Sequence, residues 1–175
     1  MQPTVLVVED DFDTLHPLSE LLKLKGYSVI TATDASRGLG IARERHPDLI
    51  ISDIALPGQS GLGLISEVRA DQSISATPIV VISGCGPAVL VEAESAGADF
   101  CLQKPLDMDL FWLTIGQVTE NLGFPRLGFA AGLDLEGQSQ TAVEIDSLVE
   151  DLRRSSSKDE RELYIQRLKQ RILQD

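Results

Sequence analysis

The 175-residue sequence predicts an α/β fold, a doubly wound parallel sheet of five strands with five helices, followed by a C-terminal helical extension. Three observations carry that prediction. Five short runs rich in Val, Ile and Leu alternate with five helix-like stretches over residues 4–121, the pattern of strand–helix–strand crossovers. Two of those runs, Leu49–Asp53 and Ile79–Ser83, lack in/out polarity and read as strands covered on both faces. Four of the runs end in polar or charged residues that a buried strand has no need of.

Taken in order, Thr4–Val8 is a β-branched strand that runs into Glu9-Asp10-Asp11. A helix is predicted over residues 14–25, striped by Leu15, Leu18, Leu21, Leu22 and Leu24, with Gly26 as its C′ residue. Residues 27–32 form the second strand. Asp34 caps a second helix that ends near His46, just before Pro47. Gly38 and Gly40 each cost that helix about 1 kcal/mol relative to alanine, which predicts a weak element. Leu49–Asp53 is the third strand, and Pro57-Gly58 turns the chain toward a helix over residues 62–70 carrying Leu62, Leu64, Ile65 and Val68. Pro78 introduces Ile79–Ser83, a helix over 87–95 ends before Gly97, residues 100–104 make the fifth strand, and Met108–Asn121 the fifth helix.

Composition narrows the setting. No apolar run approaches the roughly 18 residues of a membrane span, and the N-terminus lacks a signal-peptide layout, so the expectation is a cytoplasmic protein away from membranes. Residues 1–121 hold 17 acids against 7 bases, and residues 122–175 hold 10 against 8. Neither part has the basic footprint of a nucleic-acid binder. Cys85 and Cys101 have no metal-ligand spacing and are expected to be buried thiols. His16 and His46, each beside a proline at a helix end, are expected on the solvated surface.

Chemistry collects at the strand ends: Glu9-Asp10 after the first, Asp53 in the third, Ser83 in the fourth, Lys104-Pro105 after the fifth. In a parallel sheet these carboxyl ends share one edge, where open α/β sheets bind ligands. Three carboxylates within a few ångströms repel one another and call for a cation. An all-oxygen set without His or Cys suits a hard ion such as Mg²⁺. Aspartate is a nucleophile in aspartyl-phosphate formation, and a lysine and a hydroxyl can hold phosphoryl oxygens.

These motifs, Val7-Val8-Glu9-Asp10-Asp11, Ser52-Asp53-Ile54-Ala55-Leu56-Pro57-Gly58, Ile82-Ser83-Gly84, and Gly97-Ala98-Asp99 leading to Lys104-Pro105, make residues 4–121 resemble the receiver domain of two-component response regulators. The resemblance implies a flavodoxin-like sheet in the order 2-1-3-4-5. It implies Asp53 as phosphoacceptor, charged by a sensor histidine kinase or phosphotransfer protein, with signalling to a downstream protein target. It implies Mg²⁺ held by Asp10, Asp53 and the backbone carbonyl of Ala55, with Glu9 binding directly or through water. Ser83 would be the switch hydroxyl and Lys104 the phosphate-contacting base, followed by a cis Lys104–Pro105 bond. One feature departs: the family's usual aromatic three residues before the lysine is Cys101 here, and Phe100 falls on the opposite face. The switch is therefore expected in the small-residue loop Ser83-Gly84-Cys85-Gly86 and the helix after it.

Two other readings stay open on the residues alone, a receiver-like scaffold that is never phosphorylated and a phosphatase or phosphotransferase with an Asp nucleophile. Enzymes of the second kind that resemble haloacid dehalogenases use a second Asp two residues after the nucleophile as acid/base, and this chain has Ala55 there. Residues 122–175 resemble no family. Residues 122–141, punctuated by glycines, read as a linker or arm. Residues 142–154 and 158–173 read as an amphipathic helical hairpin around Ser155-Ser156-Ser157. Such a pair needs a second surface: its own domain, a different partner, or a homodimer through Leu148, Leu152, Leu168 and Ile172, the option we favour.

Overall fold

In the computed structural model, residues 2–124 are described. The five strands are β1 (Thr4–Val8), β2 (Ser28–Ala32), β3 (Leu49–Asp53), β4 (Ile79–Ser83) and β5 (Phe100–Gln103). They alternate with α1 (Phe12–Leu24), α2 (Ala35–Arg45), α3 (Gly61–Ala70), α4 (Pro87–Ala96) and α5 (Met108–Asn121). All pairings are parallel and the sheet order is β2-β1-β3-β4-β5, as expected. Among the described residues no helix is long and apolar enough to cross a membrane. The expected hairpin over 142–173 and nearly all of the expected 122–141 linker lie outside the described residues. Leu122 and Gly123 only finish α5, with Gly123 at φ 84°.

Side-chain alternation builds two cores from one sheet. Leu6, Val8, Ile50 and Val81 face the layer of α2, α3 and α4, where Leu39, Ala42, Leu64, Ile65, Val68 and Ala93 meet them. Val5, Val7, Leu49, Ile51, Val80 and Ile82 face the other layer, against Leu15, Leu18 and Leu22 of α1 and Phe111, Ile115 and Val118 of α5. Each such fully buried aliphatic side chain contributes about 1.5–3 kcal/mol. With both faces covered, the central strands read as continuous apolar runs, which is why they were legible in the sequence.

Three expectations need correction. The first helix begins at Phe12, two residues early, because Asp11 caps it: its carboxylate accepts from the Asp13 amide at 3.2 Å and the Thr14 hydroxyl at 2.6 Å. Gly38 is more than a propensity cost to its helix. A Cβ there would lie 2.9 Å from Val8 Cγ2, so the missing side chain lets α2 press onto β1, whereas Gly40 faces open space. Cys85 is exposed and Cys101 only partly buried; Cys85 lies in the β4–α4 loop, beyond the cover of either helical layer. His16 and His46 are exposed, as expected.

Candidate functional site

The alternation that divides the core also assembles the site. Glu9 continues the phase of Val5 and Val7, Asp53 that of Leu49 and Ile51, and Lys104 that of Phe100 and Leu102. The ladder extends one residue past two strands to hold them, with the Glu9 amide on the Ala32 carbonyl at 3.1 Å and the Lys104 amide on the Ser83 carbonyl at 2.9 Å. Glu9, Asp53 and Lys104 therefore converge. The Lys104 ammonium donates to Glu9 Oε2 at 2.8 Å and to Asp53 Oδ2 at 2.5 Å. Asp53 Oδ1 accepts from the Ala55 amide at 3.0 Å.

Both acids are nearly inaccessible, Glu9 at 4% and Asp53 at 7% relative exposure, so their charge is poorly solvated. Burial pushes the Glu9 carboxyl above its ordinary pKa; the hydrogen bond from Lys104 offsets part of this, and the neighbouring Asp53 charge adds to it. For Lys104, burial opposes the charge, but its bonds to Asp53 and Glu9 prevail and raise its pKa. Two buried carboxylates thus share one ammonium.

Asp10 is one residue out of phase and is exposed. The expected trio of acids is not drawn together: among the described residues no group of three or more His, Cys, Asp or Glu side chains forms a ready metal cage. The reason is the pleat together with Lys104, which occupies the space between Glu9 and Asp53. The donor set still fits Mg²⁺ in kind. It is all oxygen, it carries more negative charge than the lysine cancels, and Asp10 stands at the adjacent strand end with Ala55 on the exposed loop.

Ser83 is fully buried and its hydroxyl accepts from the Cys85 amide at 3.1 Å rather than bonding Asp53. The Lys104–Pro105 bond is cis, as expected. Phe100 packs in the α1/α5 core and Cys101 in the opposite one. The Cys101 thiol donates to the Leu90 carbonyl at 3.6 Å, tying β5 to α4. Burial, with Glu94 adding to it, pushes that thiol up to about 12, so it stays protonated.

Sequence reasoning missed the Glu9–Lys104 contact, although the shared phase of residues 9, 53 and 104 was there to read. It also missed Arg69, a surface-looking helix residue that ties four groups at the other sheet edge.

A family model for the response regulator receiver domain matches residues 5–115. The chain is 34% identical over 149 residues to the transcriptional regulatory protein KdpE of Mycobacterium tuberculosis, covering 85% of this chain and 60% of that relative. The chain thus spans only about three fifths of that relative's length. An alignment of 149 residues also reaches beyond α5, so the similarity continues into the extension that resembled no family. Chemotaxis response regulator CheY4 of Vibrio cholerae is similar in structure, with TM-score 0.63 and 29% identity over 67% of this chain and 99% of that one. A CheY-like receiver domain protein from Methanospirillum hungatei gives TM-score 0.64 and 25% identity over 70% and 98%. Strand order, motif positions and the family match agree: the chain belongs to the response regulator receiver family, a class of phosphorylation-switched signalling modules.

Proposed function

We propose that Asp53 accepts a phosphoryl group from a phosphohistidine of a sensor histidine kinase or phosphotransfer protein, and that the modified chain binds a downstream protein target. The observation that carries this is a carboxylate 7% exposed, at a strand end, bonded to a lysine that a second buried acid also claims. Such a lysine can pass from carboxylate to phosphoryl oxygens without crossing the site.

In the transfer, one Asp53 carboxylate oxygen attacks phosphorus, an O–P bond forms and the donor N–P bond breaks, its electron pair returning to the imidazole. Lys104 Nζ turns toward a phosphoryl oxygen while still held by Glu9, and the Ser83 hydroxyl turns to donate to another. Mg²⁺, held by Asp10, Asp53, the Ala55 carbonyl and Glu9, would supply the charge that lets an anionic phosphoryl group approach two acids. Ala55 supplies no acid–base group, so the chain works as a phosphoacceptor rather than as a turnover enzyme. This reading puts the protein in the cytoplasm with ATP-fed donors. A homodimer through Leu148, Leu152, Leu168 and Ile172 belongs to it as an expectation about residues outside those described.

Acetyl phosphate with Mg²⁺ should modify the wild-type protein and leave Asp53→Asn unmodified, read by intact mass. Equal modification of Asp53→Asn would overturn the assignment. The Ser83–Gly86 loop and α4 should carry the switch. Hydrogen exchange with and without beryllofluoride checks this, and changes that bypass residues 83–96 would count against it.

A further inference from the structure

Gly61 opens α3 directly beneath the phosphoacceptor. Its amide donates to the Ile54 carbonyl at 2.9 Å, and that carbonyl also accepts from the Leu56 amide at 2.9 Å, which closes the loop from residue 54 to 61. A Cβ at position 61 would overlap the Asp53 carbonyl oxygen and stand 2.7 Å from Ile54 Cα and 3.1 Å from the Asp53 carbonyl carbon. All three are backbone atoms, so no flexible side chain can give way.

Gly61 is not among the glycines with positive φ. Its backbone conformation is open to alanine, which a helix would prefer. Space alone explains the glycine. The helix above it cannot back away freely either, since Leu64, Ile65 and Val68 are buried at 1%, 0% and 0% exposure. A methyl group at 61 must therefore displace the Asp53–Ile54 peptide.

From this we infer that Gly61 is a positioning residue for phosphoryl transfer: the bare backbone at the start of α3 sets the Asp53–Ile54 peptide, and with it the aim of the Asp53 carboxylate and the Ala55 carbonyl. The inference rests on Asp53 being the phosphoacceptor. Carboxylate aim matters steeply, because a misplacement of about 1 Å can cost about a hundredfold in rate.

The test compares Gly61→Ala with wild type and with two controls, Gly40→Ala, where nothing lies within 4 Å, and Gly63→Ala, where the atoms nearest a Cβ belong to the Gln59 side chain. Rates of Mg²⁺-dependent modification by acetyl phosphate are normalised to folded protein by near-UV circular dichroism, and the Mg²⁺ midpoint is recorded alongside. Gly61→Ala should lose at least about tenfold in maximal rate per folded molecule with a raised Mg²⁺ midpoint, while both controls match wild type. A folded Gly61→Ala protein with wild-type rate and midpoint overturns the inference while leaving Asp53 as phosphoacceptor; unmodified wild-type protein overturns that reading itself. Should Gly61→Ala not fold, amide exchange on the wild type decides. The Gly61 amide should be protected both with and without beryllofluoride, and free exchange would show that the contact does not hold Asp53.

Discussion

The two edges of the sheet solve the same electrostatic problem in opposite ways. At the amino-end edge each acid has its own partners. Asp99 Oδ2 accepts from Arg69 Nη2 and from the Ile79 amide, both at 2.7 Å. Asp71 pairs with Arg43 Nε at 2.7 Å, and Asp48 accepts from the Thr4 amide at 2.8 Å. Arg69 also donates to the carbonyls of Gly97, Ser75 and Thr77 at 2.8–2.9 Å, joining the end of α3 to the loops before β4 and β5. At the carboxyl-end edge, Glu9 and Asp53 are more deeply buried and divide one lysine between them. Saturated partnering gives a fixed frame. A shared ammonium leaves capacity for another ligand, and that difference separates a structural ion pair from a reactive one.

The sharpest way to break this contrast is Lys104→Ala. It should slow phosphorylation about 10²- to 10³-fold, the range for losing one charged stabiliser. It also leaves two buried acids facing each other. A Glu9 carboxyl whose folded pKa is raised destabilises the fold increasingly as pH rises from its unfolded value near 4.5 through the raised one. The variant should therefore gain stability relative to wild type on acidification from pH 7 to 5, measured by urea titration. A constant difference would refute the shared-charge account.

At the other edge, Arg69→Ala should cost about 2 kcal/mol by urea denaturation, since several of its bonds fall on half-exposed groups. Modification per folded molecule should stay at the wild-type rate. A rate loss as large as that of Lys104→Ala would erase the distinction between the edges.

The smallest effect concerns Asp71. The hydrogen bond from Arg43, helped by Ser73, holds its carboxyl at about 2, below the ordinary 3.8. A depressed acid stabilises above its unfolded pKa, and that contribution is lost as pH falls through the folded value. Asp71→Asn should be slightly less stable than wild type at neutral pH, with the gap closing between pH 3.8 and about 2. A gap that persists unchanged at the acid end would contradict the assignment.

Sequence legibility followed the same divide. The sheet was readable because strands buried on both faces leave unbroken apolar runs, and Asp53 stood out as a charge ending one of them. Adjacency in sequence does not show that Glu9 is buried and Asp10 exposed; the strand phase that separates them does. The reason for Gly38 lies in Val8, across a crossover, where helix propensity does not reach. Arg69 was invisible for a similar cause: three of its four acceptors are backbone carbonyls, which carry no sequence signal. Cys85 was misplaced inside because residue type predicts burial and a loop position overrode it.

The central claim is that Asp53 is the group that reacts. Acyl phosphate formed with acetyl phosphate and Mg²⁺ can be reduced by borohydride, which converts the modified aspartate to homoserine at the site of attachment. Peptide mapping by mass spectrometry should find homoserine at position 53 and at no other acid of the site. Homoserine at Asp10 or Asp11 in place of Asp53, or reduction that does not depend on Mg²⁺, would contradict the account.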